Sequence, residues 1–230
     1  RYLIYAVGEI VLVMIGILLA LYVNNWNNEN QEKKKVGKYL QEIKNNLRAD
    51  NLLVDSIAIF NQRKNLNLLK SIEYYYKWES NEDYRDSLMR LLIQGDIAQI
   101  APYKPVRTGM DALLSSGDLN LVSDSLRILL SEYYESADSE KMNNERVISL
   151  TRNQVQDKLL KKVASRKYIG QYAGLELPAD NATKNTTIID NDLPVDMMFI
   201  IAIESERITT LKSLQAKGQT IIGYIDKNPL

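Results

Sequence analysis

The sequence predicts an all-α protein, with an N-terminal transmembrane helix followed by an elongated helical bundle. Three observations carry this reading. Residues 3 to 23 form an apolar run broken by a single charge, Glu9. Beyond it, apolar residues recur at three- and four-residue spacing over long stretches. Those stretches contain no proline, and ten glycines and five prolines are few breakers for 230 residues. The expected division is an anchor with its interfacial exit over 1-28 and an extramembrane all-α domain over 29-230.

The leading run has the length of a membrane span. At 1.5 Å per residue it reaches about 31 Å as a helix, against roughly 30 Å of hydrocarbon. It is apolar on every face, whereas a soluble core helix keeps a wet stripe. It exceeds the roughly 7–15 apolar residues of a cleavable signal peptide, and no small-residue cleavage site closes it. Tyr2, Tyr5, Tyr22 and Trp26 lie near its two ends, where rings with a polar handle favour the headgroup zone. The run leaves through Asn24-Asn25-Trp26-Asn27-Asn28, which is polar and uncharged.

Glu9 stands out because an ionised carboxylate in hydrocarbon costs several kcal/mol. Such a group faces protein or water, or takes up a proton. At 100° per residue Glu9, Gly16 and Ala20 fall within about 40° of one another. Gly16-x-x-x-Ala20 is a small-x-x-x-small pattern that admits a second helix closely. This stripe suggests helix association in the membrane with Glu9 bonded to a partner group. Two other readings stand beside it: Glu9 carries protons, or it reaches interfacial water from near the helix start.

The stretch Tyr5-Ala-Val-Gly-Glu-Ile, then Ile15-Gly-Ile-Leu-Leu-Ala-Leu, then Asn24-Asn25-Trp26-Asn27, resembles the opening of an uncharacterised Bacteroidota family of single-pass membrane proteins. That family's anchor reads roughly YAIGEIxLVxIGILIALxxNNWN. The resemblance is close over residues 2 to 28. It is looser beyond, where Ser116-Gly117-Asp118-Leu119-Asn120-Leu121 and Tyr133-Tyr134 recur. It implies topology and no chemistry, since the family carries no assigned activity. It also implies a short basic segment ahead of Arg1.

Orientation is argued from cations. Arg1 precedes the span, while Lys33, Lys34, Lys35 and Lys38 follow it, which locally favours a cytoplasmic body. The basic extension implied by the resemblance reverses this. The expected location is the inner (cytoplasmic) membrane, single-pass, with the bulk periplasmic. The absence of cysteine is compatible with either side.

The first helix of the body is expected over about Glu29 to Tyr76, continuing directly from the anchor because nothing between Val23 and Val36 breaks it. Val36, Leu40, Ile43 and Leu47 make a narrow seam suited to bundle packing, Asp50 takes the next slot, and Val54 and Ile57 resume. Asp50 reads as a satisfied polar slot or a register device. A second helix covers about Asp83 to Gln94, with Leu88, Leu91 and Leu92 inward and Gly95 ending it. Ala101-Pro102-Tyr103-Lys104-Pro105 is extended or turn-like. Thr108-x-x-Asp111 resembles a capping box opening a short helix to Ser115, closed by Gly117. Ser123 caps the next helix, with Leu126, Leu129, Leu130 and Tyr133 inward, a bend near Ser136-Ala137-Asp138, and continuation to Leu159, Leu160 and Val163.

Residues 174 to 193 are polar and read as a loop. Its sequon-like Asn181 and Asn185 carry little meaning in a bacterial protein. Asp190, Asp192 and Asp196 lack the glycine and terminal glutamate of a calcium loop and read as solvated acids. Pro194 suits the first turn of a final helix to about Asp226, striped by Met197, Ile201, Ile208, Leu211, Leu214, Ile221 and Ile225.

Composition narrows the chemistry. Basic and acidic residues balance at 29 each, and no basic stripe interleaved with aromatics is present, so no nucleic acid is expected. With no histidine and no cysteine, the commonest general base, the thiolate nucleophile and most zinc, copper and haem ligation are excluded. Phosphate-cradling glycine motifs are missing from the sequence. Tyr74-Tyr75-Tyr76 with Trp78 reads as packing, and Pro102 to Thr108 as a connection with a surface role for Lys104 and Arg107 as its alternative. No catalytic residue, metal site or cofactor is expected. The expected function is non-enzymatic: a membrane-anchored structural or accessory subunit that associates through Glu9, Gly16 and Ala20. Its partners would be membrane lipid and either other membrane proteins or copies of itself. The alternatives are an extracytoplasmic sensory or ligand-binding module, and a subunit of an ion-coupled complex using Glu9.

Overall fold

The computed structural model describes residues 2–77, 82–94, 97, 99–154, 174 and 192–228. The protein is all-α, and no strand occurs among the described residues. Its helices are α1 (Tyr2–Lys77), α2 (Glu82–Gln94), α3 (Thr108–Ser115), α4 (Asp124–Gln154) and α5 (Leu193–Lys227), with a 3-10 turn at Asp118–Leu121. The apolar leader and the first body helix are therefore one continuous helix, as the absence of breakers implies. The N-terminal part of α1 is long and apolar enough to cross a membrane, and none of its residues from 8 to 29 is buried in the protein.

Two compact units emerge. One comprises Arg1–Arg48, Val106–Ser131 and Gln219–Leu230, and the other Ala49–Pro105 and Glu132–Gly218. In the first, Val36, Leu40, Ile43 and Leu47 are buried on α1, as are Met110 and Leu113 on α3, Leu126 and Leu130 on α4, and Ile221 on α5. Leu129 is only half-buried. In the second, Leu68 joins Leu88, Met89, Leu92, Ile97, Leu193, Met197 and Ile200 in one apolar cluster, with Tyr74 and Tyr75 packed against it. Met89 takes the inward place expected of Leu91, which is half-buried. The tyrosine run is packing at its first two members, while Tyr76 is exposed and Trp78 lies outside the described residues.

The seams are more regular than apolar spacing alone suggests. On α1 every step of four and three from Val36 to Ser71 lands on a buried residue, whether apolar or not. The same alternation runs from Leu126 to Val147 on α4 and from Met197 to Ile225 on α5. This 3.5-residue repeat is the geometry of near-parallel helix packing. On α5 it passes through Ile200, Glu204 and Arg207, correcting the expected stripe, since Ile201 and Ile208 are only half-buried. On α4 it passes through Ala137 without a break, so the bend expected near Ser136-Ala137-Asp138 does not occur. Leu159, Leu160, Val163, Gly95 and most of the 174 to 193 loop lie outside the described residues.

Local signals at helix ends are obeyed with one exception. Ser123 Oγ accepts from the Leu126 backbone N–H at 3.4 Å, capping α4 as expected. Gly117 follows α3 with φ 74°, the left-handed conformation that favours glycine. The capping box at Thr108 does not form: Arg107 occupies the N-cap and makes no side-chain cap bond. Asn46 of α1 caps α3 instead. Its Oδ1 accepts from the Gly109 N–H at 2.8 Å and from Thr108 Oγ1 at 3.2 Å. This requires α3 to begin directly on α1. A Cβ at Gly109 would lie 2.7 Å from the Ile43 nitrogen and 2.9 Å from its Cγ1.

Gly109→Ala is accordingly expected to destabilise the protein by about 1–3 kcal/mol through overpacking. Gly37→Ala on α1 meets open space and is expected to stabilise by about 0.5–1 kcal/mol through helix propensity. Thermal melts followed by circular dichroism in detergent measure both, and equal melting points would refute the close approach.

Candidate functional site

The three residues expected to associate in the membrane share one face of α1. Glu9, Gly16 and Ala20 are all exposed, and a Cβ at Gly16 meets nothing within 4 Å. Residues 8 to 29 are exposed without exception. Leu12, Leu18, Leu19 and Trp26 are among the large apolar side chains left uncovered. Tyr2 and Tyr22 are exposed near the ends of the apolar run, and Tyr5 lies on α1 with its side chain outside the described residues. The three residues thus lie on one exposed face of α1, and no described part of the chain covers them.

A second constellation lies in the unit built from residues 49–105 and 132–218. Besides Asp50, four charged side chains there are essentially inaccessible: Lys64 and Glu204 at 0 %, Arg207 at 1 % and Glu140 at 2 %. Lys64 Nζ donates to Glu204 Oε1 at 2.9 Å and to the Gln99 carbonyl at 2.8 Å. Asn61 Nδ2 donates to the other oxygen, Oε2, at 2.8 Å. Arg207 Nη2 donates to the Ala101 carbonyl at 2.7 Å. Its Nη1 and Nε stand 3.5 Å from Glu204 and 3.7 Å from Glu140, which is ion-pair range without a hydrogen bond. Two cations and two carboxylates thus share one water-poor interior. Burial pushes the Glu140 carboxyl above the ordinary glutamate value, with Arg207 and Asn143 opposing the shift.

Asp50 behaves as its place in the seam implies. Tyr133 Oη donates to its Oδ2 at 2.9 Å, and the Tyr133 and Tyr134 rings meet edge to face at 5.1 Å. Burial, reinforced by Asp50, pushes the hydroxyls of Tyr133 and Tyr103 well above the usual tyrosine range. Tyr103 and Pro105 are buried, and the carbonyls of Gln99 and Ala101 are fastened by buried cations. The 99–107 segment is therefore a core-inserted connection, with Lys104 exposed on it.

A cleft of about 310 Å³ opens on Asn143, Arg146, Val147, Phe199, Ile203, Glu206 and Arg207. Among the described residues no group of three or more acidic side chains is placed to hold a metal ion. The buried charges were missed by apolar patterning, although steps of four and three from Ile57 and from Met197 land on Lys64 and on Glu204.

Residues 9–206 match a family of unknown function, DUF6090, and the chain belongs to that family. No curated protein and no solved structure matches it.

Two outcomes are expected of the buried network. Lys64→Met leaves Glu204 buried without its cation and costs about 3–5 kcal/mol in denaturant unfolding, while adding Glu204→Leu recovers most of the loss. Equal stability of wild type and Lys64→Met would remove the pair from the energetics. For Glu140 the folded-state pKa lies above its ordinary value of 4.5. Its contribution is complete below that value and is lost as pH rises through the folded value. Glu140→Gln is expected to flatten that decline, and an unaltered pH profile would assign the slope elsewhere.

Proposed function

We propose that this protein is a non-enzymatic, membrane-anchored structural or accessory subunit. The N-terminal part of α1 spans the cytoplasmic membrane once, and the body stands on the periplasmic side. Association with other membrane proteins, or with further copies of the chain, runs through Glu9, Gly16 and Ala20.

The observation that supports this reading is the complete exposure of residues 8 to 29 on a helix whose continuation is buried at every seam position. Apolar surface left in water is unfavourable by about 25 cal/mol per Å², so lipid or another helix must cover it. Lipid suits the leucines and isoleucines. It does not suit Glu9, which gains from a hydrogen-bonding partner on a neighbouring helix. Gly16 and Ala20 bring such a helix close.

A second reading, a sensory or ligand-binding module, draws on Arg207. It lines the 310 Å³ cleft together with Arg146, and two cations at one cleft suit an anionic group.

Chemical crosslinking in native membranes, followed by purification in mild detergent, tests the leading reading. Gly16→Leu and Glu9→Gln are expected to dissociate the crosslinked species, and Leu18→Phe, on the opposite face, to preserve it. Assembly that survives both stripe substitutions would sink the association role. Survival together with lost ion flux in Glu9→Gln would favour ion coupling. Recovery of the intact chain without detergent would remove the anchor.

A further inference from the structure

Residues 30 to 44 of α1 carry five lysines just beyond the interfacial Trp26. Two have internal partners. Lys35 Nζ lies 2.6 Å from Asp118, and Lys44 pairs with Asp226. Lys33 and Lys34 make no ion pair among the described residues. Both open onto a cleft of about 500 Å³, together with Asn30, Gly37, Gln41 and the Lys44–Asp226 pair. Three ammonium groups thus stand against one carboxylate there, and that carboxylate is engaged by Lys44. The acids nearest in sequence, Glu29 and Glu32, do not line the cleft. Asn30 and Gln41 add amide donors, and Gly37 leaves open space where a side chain would project.

This is a concave, donor-rich, net cationic site of small-ligand size, so its complement is an anion with several acceptor oxygens. Its position selects the source. Lys33 follows Trp26 by seven residues, about 10 Å along the helix. Side chains lean toward the helix N-terminus, and long ammonium stems extend further, so these groups reach back toward the level of Trp26. Lysines beside an apolar span are drawn to anionic lipid, by about fivefold per residue near the surface.

We propose that the Lys33/Lys34 cleft binds the headgroup phosphate of an anionic phospholipid in the leaflet next to Trp26. This rests on the reading that the N-terminal part of α1 lies in lipid. The site gives the body a fixed seat on the bilayer.

The test uses the full chain carrying Trp78→Phe, so that Trp26 is the reporter, in phosphatidylcholine vesicles with a minor fraction of phosphatidylglycerol. One set carries bromine on the phosphatidylglycerol chains, the other on an equal fraction of phosphatidylcholine. The expected result is several-fold stronger quenching of Trp26 by brominated phosphatidylglycerol. Lys33→Gln with Lys34→Gln abolishes that preference, and Lys70→Gln with Lys141→Gln retains it. Equal quenching by both lipids overturns the headgroup site while leaving the anchor standing. Quenching by neither overturns the anchor itself. A preference that survives the Lys33/Lys34 substitutions overturns the assignment of residues. A preference erased by millimolar inorganic phosphate at constant ionic strength assigns the cleft to a soluble anion and overturns the lipid.

Discussion

Lys64 occupies a seam position where a leucine would pack without electrostatic cost. A fully buried ammonium is tolerated only with a counter-charge and hydrogen bonds in place. Glu204, Asn61 and the Gln99 carbonyl are therefore required by Lys64 rather than added to it. The requirement fixes register. Sliding α5 by one heptad would set Lys64 against Met197 or Leu211, neither of which accepts a hydrogen bond. Apolar seams with a uniform 3.5-residue repeat are nearly degenerate under such a slip, because every rung looks alike. A charged rung removes the degeneracy. The same rung tethers the chain between α2 and α3, since the carbonyls of Gln99 and Ala101 are bound by Lys64 and Arg207. A segment without helical hydrogen bonds of its own is thereby kept in the interior with its backbone satisfied.

Specificity of this kind is bought with stability. Arg207 and Glu140 approach without hydrogen-bonding, and the Glu140 carboxyl resists ionisation. Well-packed apolar residues at these places would hold the helices at least as firmly. The polar rungs recur on each long helix, with Asp50, Asn61 and Lys64 on α1, Glu140 and Asn144 on α4, and Glu204 and Arg207 on α5. Asp50 is a further polar rung, held by the neutral Tyr133, which brings a large ring into the core.

What was legible in the sequence was whatever depends on neighbours in the chain. Proline-free 3.5-residue periodicity gave the helices, Ser123 gave a cap, Gly117 a left-handed stop and Pro194 a helix start. Asp50 was readable because apolar residues flank it at seam spacing on both sides. The failures share one cause, since each depends on residues distant in sequence. Thr108-x-x-Asp111 obeys the local grammar of a capping box, yet Asn46 supplies the cap, 62 positions earlier. On α5 a reading tuned to apolarity stepped from Met197 to Ile201 and Ile208, because Glu204 and Arg207 look like solvent-facing residues until their partners are known. The acceptors for Lys64 lie 35 and 140 positions away. No local pattern announces them. Strict periodicity was the one available clue, and following it through polar residues would have found the charged rungs.

The same economy of charge bears on the leading segment of α1. From Val36 to Ser71 the helix places a neighbour against every seam position, including those that carry ions. Residues 8 to 29 place none, although they include the most apolar stretch of the chain. One helix cannot bury its own apolar circumference, and no described residue covers this one. Hydrocarbon would satisfy the surface of residues 8 to 23 except Glu9, and the body matches its own inaccessible carboxylates to cations or hydrogen-bond donors. Applied to Glu9, that rule calls for a donor on a neighbouring helix, and the closest approach available to such a helix is along Gly16 and Ala20.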